Sequence, residues 1–157
     1  MQSPQDIYHL IAGKTLKLLK LTIAMLFLDG EQIFINIWKS FEYPSQWSKL
    51  PNPVSHIESF MMSNCLRLTI VMPFILNRSL INNNCFKSSE LVKFKNQSSL
   101  HSNQVINAII KCWSIVAKCS QLVFKLSLTN NDYIELEKSL KIEQQILTMV
   151  TEVYINI

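Results

Sequence analysis

Between positions 102 and 128 the polar residues recur at Gln104, Asn107, Lys111, Ser114, Lys118, Gln121 and Lys125. The steps alternate between three and four, which traces one narrow stripe along an α-helix. The rest of the segment is mostly apolar, with Val105, Ile106, Ile109, Ile110, Trp113, Ile115, Val116, Leu122, Val123, Phe124 and Leu126. A helix wetted along one stripe has to bury the remainder of its surface, because leaving it in water is unfavourable. The pattern predicts an all-α protein, an irregular helical bundle around a long central helix at 102–128.

The same logic places the other elements. Residues 5–12 suit a short helical turn that Gly13 breaks, and 14–28 a Leu-rich helix that Asp29-Gly30 stops with a turn. The stretch 33–41 alternates like a strand, yet Ile33, Ile37 and Phe41 also share a helical face, and helix is preferred. Pro44, Pro51 and Pro53 make 43–53 a loop, with Trp47 as an apolar anchor. Ser55 and Glu58 have capping-box spacing ahead of a helix that turns Phe60, Met61, Cys65, Leu68, Met72 and Leu76 inward and kinks at Pro73. Asn82–Asn84 reads as a loop, 88–95 as a short helix and 96–99 as another loop. Ser102 caps the central helix. The sequence Thr129-Asn-Asn-Asp132 ends it and caps the next, over 132–150, whose apolar face is Tyr133, Leu136, Leu140, Leu147 and Val150. These last two helices should form an antiparallel hairpin. One helical domain over 1–150 results, followed by a strand-like tail at 151–157.

Composition narrows the class. The chain of 157 residues is 48% hydrophobic and only 17% charged, below the roughly 25% usual for soluble domains. Two glycines argue against β-rich folds and glycine-lined phosphate loops. The net charge of +4 comes from 13 Lys against 2 Arg. That excess reads as a solvated surface, since Arg is the better reader of phosphates and guanine edges. Cys65, Cys85, Cys112 and Cys119 contain no CxxC pair, and read as buried reduced thiols in a reducing compartment. That favours an intracellular setting, cytoplasm or nucleus. The apolar run at 21–28 is too short to cross a bilayer, which takes about 20 residues, and lysines interrupt the longer run at 105–128. No transmembrane span is expected. Asn77-Arg-Ser79 and Asn96-Gln-Ser98 match glycosylation sequons by pattern alone.

Catalytic chemistry finds little support. His9, His56 and His101 sit in or beside loops or helix starts, without a paired nucleophile. Zinc-ligand spacings are missing. The acids Asp132, Glu135 and Glu143 share one helix with Lys138 and Lys141, which reads as a solvated, ion-paired face. No catalytic residue, cofactor or metal is therefore assigned, and enzyme activity is not expected. The one candidate binding row is Lys111, Lys118 and Lys125, at heptad spacing, roughly 10 Å apart by helical rise. Such a row can follow a phosphate backbone, although no stacking aromatic shares the stripe.

Two segments, 47–80 and 103–150, carry a family resemblance. Their motifs are Pro51-x-Pro-x-Ser-His56, Ser59-Phe-Met-Met-Ser63, Met72-Pro-Phe-Ile-Leu-Asn-Arg78, Lys111-Cys-Trp-x-x-x-Ala-Lys118 and Asn131-Asp-Tyr-x-x-Leu-Glu137. Together they resemble uncharacterised fungal open reading frames derived from DNA transposons. The resemblance implies a helical region associated with a larger transposase-like polyprotein, whose catalytic acids lie in a separate RNase-H-like domain. No matching acidic motif occurs here, so no catalytic residue carries over. The parent chain is expected to run on past Val150, and the Thr-Glu-Val-Tyr-Ile-Asn-Ile end suggests truncation.

The leading expectation is a non-catalytic helical remnant or accessory region that packs on other protein segments or on itself. A nucleic-acid-binding module using Lys111, Lys118 and Lys125 is the second reading, and a peripheral membrane protein using the amphipath at 14–28 the third. Retention on DNA that weakens with salt and vanishes when the three lysines become Gln marks the second. Sedimentation with liposomes that requires residues 14–28 marks the third.

Overall fold

The computed structural model describes residues 4–80, 85–89 and 102–155. Among these there are five α-helices and one 3₁₀ turn, and no strand beyond a single isolated bridge. The all-α expectation holds. The backbone separates into two compact units, residues 1–87 and 88–157, and each is described by itself.

In the first unit, α1 spans Pro4–Met25, α2 Leu28–Ser40 and α3 Met62–Ser79. Pro4 opens α1, where its missing N–H costs nothing and its fixed φ suits the helix. Gly13 does not break the helix, contrary to the sequence expectation. A helix-interior glycine costs about 1 kcal/mol against alanine, less than the inward row of Ile11, Thr15, Leu18, Leu19 and Thr22 contributes by burial. The two buried threonines return their hydroxyls to the carbonyls of Ile11 and Leu18, at 2.8 and 2.7 Å, so no polar group is stranded.

Asp29-Gly30 is not a turn either. The chain turns three residues earlier, at Leu26 and Phe27, and Asp29 and Glu31 lie in the first turn of α2, where acids suit the helix dipole. Gly30 is needed for a different reason. A Cβ there would lie 2.2 Å from the Cys85 carbonyl oxygen. That carbonyl accepts the Phe27 N–H at 2.8 Å, and the Lys87 N–H donates to the Met25 carbonyl at 3.0 Å. Leu26 and Phe86 form the bridge between these two bonds. The Lys87 ammonium closes the end of α1 on the Ala24 carbonyl, at 2.7 Å. The distant segment 85–87 thus clamps the α1–α2 elbow.

α3 packs against both α1 and α2. It buries Cys65, Leu68, Val71, Met72, Ile75 and Leu76, and continues through Pro73, which lies inside it. From α2 come Phe34 and Trp38, stacked with centroids 6.1 Å apart. The helix expected at 33–41 is therefore present, but its buried face is Gly30, Phe34 and Trp38; Ile33 is exposed. Met61 is exposed rather than inward. The capping box expected at Ser55 and Glu58 is not made. Residues Ile57–Ser59 form a 3₁₀ turn, Glu58 reaches Lys20 on α1 at 2.7 Å, and Ser55 Oγ contacts His56 Nδ1 at 2.7 Å. The expected loop Asn82–Asn84, the loop at 96–99 and most of the helix at 88–95 lie outside the described residues.

The second unit is a hairpin of α4, Ser102–Val123, and α5, Asn130–Ile155. Pairing of Lys118 with Glu135 and of Lys125 with Asp132 shows that they run antiparallel. All seven positions of the polar stripe are exposed. Val105, Ile106, Ile109, Cys112, Trp113, Val116, Cys119 and Leu122 are buried. The helix nevertheless stops at Val123, five residues short of the expected 128, which leaves Phe124 and Leu126 exposed. The capping box that starts α5 sets this limit. The Thr129 hydroxyl oxygen faces the Asp132 N–H at 3.3 Å, and Asp132 Oδ2 accepts the Thr129 N–H at 2.7 Å. The same carboxylate accepts the Lys125 ammonium at 2.8 Å.

Two corrections concern α5. It continues helical to Ile155, where the tail at 151–157 reads as a strand by alternation; β-branched residues extend a helix that is already nucleated. Its inward side is also not the expected one. Tyr133 and Leu140 are exposed, whereas Ser139 and Glu143 are buried. Glu143, expected on the solvated face, is 2% exposed. Glu135, Ser139 and Glu143 are spaced four apart and so share the side of α5 that faces α4. The side chains of Leu147 and Val150 lie outside those described.

Two stability predictions follow from these contacts. Gly13 has nothing within 4 Å of an added Cβ, so Gly13→Ala should raise stability by about 0.5–1 kcal/mol in urea unfolding. Gly30→Ala should lower it by more than that, because the backbone carbonyl in its way has no rotamer to escape through. The second prediction concerns pH. Lys125, with help from Thr129, holds the Asp132 carboxyl at about 2 against its ordinary 3.8. A depressed carboxylate contributes stability that is full above its unfolded value and is lost as pH falls through the folded one. The urea midpoint of the wild type should exceed that of Asp132→Asn at pH 5. The gap should shrink as pH falls from about 4 and vanish only below about pH 2; a gap undiminished at pH 2 contradicts the assignment.

Candidate functional site

The last turn of α2, the loop that follows and the outward side of α3 enclose an open groove of about 630 Å³ in the first unit. Ser40, Phe41, Glu42, Pro44 and Trp47 form one wall, and Ile70, Val71, Phe74 and Arg78 the other. Helical geometry accounts for the second wall. Ile70, Phe74 and Arg78 are spaced four apart, on the side of α3 away from Leu68, Met72, Ile75 and Leu76. Phe74 is 60% exposed and Ile70 47%, a large apolar surface for two neighbouring side chains.

The first wall is held by local bonds. The Trp47 N–H donates to the Pro44 carbonyl at 2.8 Å. Lys49 closes the end of α2 on the Lys39 carbonyl at 3.1 Å. The Arg67 guanidinium sits 5.6 Å from the centre of the Trp47 ring and donates to Ser48 Oγ at 3.0 Å, which fixes the ring against α3. Trp47 is thus the anchor expected of it, half-buried. Tyr43 packs edge-on to Phe41 and to Trp38, at 5.2 and 6.3 Å, and ties the loop to the core of α2. Burial pushes its phenol up to about 12, so it stays protonated at neutral pH. Polar and apolar groups line the groove in similar measure, with Glu42 and Arg78 as its charges.

The lysine row has a different setting. Lys111, Lys118 and Lys125 are all exposed, but Lys125 lies past the end of α4. Lys118 and Lys125 are paired with Glu135 and Asp132 on α5. An anion at this row competes with two carboxylates already in place.

The cysteines are buried free thiols, and burial raises the Cys65 thiol to about 11, far from thiolate reactivity at neutral pH. His9 and His56 are exposed, and His101 lies outside the described residues. Among the described residues no group of three or more His, Cys, Asp or Glu converges, and no helix is long and apolar enough to cross a membrane. The groove escapes sequence reasoning because its apolar members come from two separate elements, the loop after α2 and α3; the Ile70–Phe74 spacing is the local signal. Comparison with protein-family models, curated proteins and solved structures gives no match for the chain.

Proposed function

We propose that the protein is a non-catalytic helical module that binds a segment of another protein in the groove between α2 and α3. One observation carries this reading: Ile70 and Phe74 stand exposed opposite Phe41 and Trp47 across a groove of about 630 Å³. That is room for a few apolar side chains of an amphipathic helix, the usual content of helix-in-groove recognition. Glu42 and Arg78 then set register through their opposite charges. The resemblance to transposon-derived reading frames suggests the setting, an accessory region of a larger transposon-encoded assembly.

The test is a selection of displayed random peptides on the wild-type protein, with Phe74→Glu as the counter-screen. Phe74 is exposed, so the variant should keep the helical circular dichroism of the wild type. Enriched sequences should carry apolar residues at three- and four-residue spacing, and should bind Phe74→Glu at least about tenfold more weakly. Trp38 and Trp113 are fully buried, which leaves Trp47 fluorescence as a direct report of occupancy. Failure to enrich any sequence that distinguishes wild type from Phe74→Glu removes the proposal.

A further inference from the structure

The rim of the groove between α2 and α3 carries charge of one sign in excess. On α3, Arg67, Ile70, Phe74 and Arg78 follow one another at steps of three, four and four, so they form one stripe. Ile70 and Phe74 are exposed, and a guanidinium stands at each end of the pair, about 16 Å apart by helical rise. Arg67 rests on the Trp47 ring and donates to Ser48 Oγ. Arg78 lines the groove itself. On the opposite wall Lys39 and Lys49 are both exposed, and the Lys49 ammonium lies at the end of α2 on the Lys39 carbonyl. Among the described residues no carboxylate pairs with any of these four cations. Among the lining residues Glu42 alone is acidic.

We infer that the segment bound in this groove is an acidic amphipathic helix, with Asp or Glu on both sides of a short apolar seam. Charge decides the occupant. Four cations against one carboxylate leave the rim positive, which favours an acidic partner and repels a basic one. The two guanidiniums each offer a planar fork that fits a carboxylate. Arg67 is already held by Trp47 and Ser48, so it loses little freedom on binding. A helix lying along α3 meets both arginines when its acids are about three turns apart, and the apolar residues between them then cover Ile70 and Phe74. The inference rests on this groove being a docking site and adds the charge of what docks there.

Peptides selected on the wild-type protein test it. Those that bind Phe74→Glu poorly should carry net negative charge, with Asp or Glu on both flanks of the apolar seam. Raising the salt from about 0.05 to about 0.5 M should weaken them about tenfold, because the rim lies in water and is screened. Arg78→Glu changes an exposed side chain and should keep wild-type circular dichroism, yet weaken these peptides about tenfold. Replacing the acids of one peptide flank by lysine should restore binding to Arg78→Glu and weaken binding to the wild type. Lys39→Glu is the second variant, should Arg78→Glu lose helicity. Groove-binding peptides without an acidic excess overturn the inference and leave the docking site standing. So does binding indifferent to salt or to Arg78→Glu. Failure to find any peptide that distinguishes wild type from Phe74→Glu removes both.

Discussion

The Cys85 carbonyl occupies the space that a side chain at position 30 would fill. The arrangement of the first unit depends on that close approach. Only a residue without Cβ admits the carbonyl, and only then can Phe27 and Lys87 make their two backbone bonds across the elbow. The elbow sets where α2 points, and α2 in turn delivers Phe34 and Trp38 to α3 and carries Ser40, Phe41 and Glu42 to the groove. A contact of three residues at one end of a helix thus positions the groove wall at its other end.

The two units meet the demands of amphipathicity differently. In the first, α3 has partners on α1 and α2 and still leaves Ile70 and Phe74 outside. In the second, α5 turns Ser139 and Glu143 inward and leaves Tyr133, Ile134 and Leu140 in water. Burial of a carboxyl group is costly unless other interactions offset it. A capping box and two interhelical ion pairs join the start of α5 to α4.

The α4 stripe was legible from sequence, since each of its seven polar positions is solvated as the three-four spacing requires. So was the cap at Thr129 and Asp132, because its chemistry is local. The same holds for the antiparallel hairpin, which a short connection between two long helices favours. Gly30 was misread because Asp-Gly is a turn signal by propensity, while its real constraint comes from a residue 55 positions away. The face of α5 was misread because a few apolar positions at helical spacing do not say which side of a helix meets its neighbour. The Ser55 capping box failed for a similar reason, with Lys20 of α1 drawing Glu58 away. The groove was hidden because Phe41, Trp47 and Phe74 converge only in three dimensions.

Native-state hydrogen exchange at the amides of Phe27 and Lys87 tests the clamp most directly. Both lie in short connections that would exchange quickly if they were open loops. The account predicts that these two amides exchange as slowly as those of Met72 and Leu76 in the core of α3. Rapid exchange at Phe27 and Lys87, with α3 still protected, would show that the elbow is not held by segment 85–87 and would contradict the account.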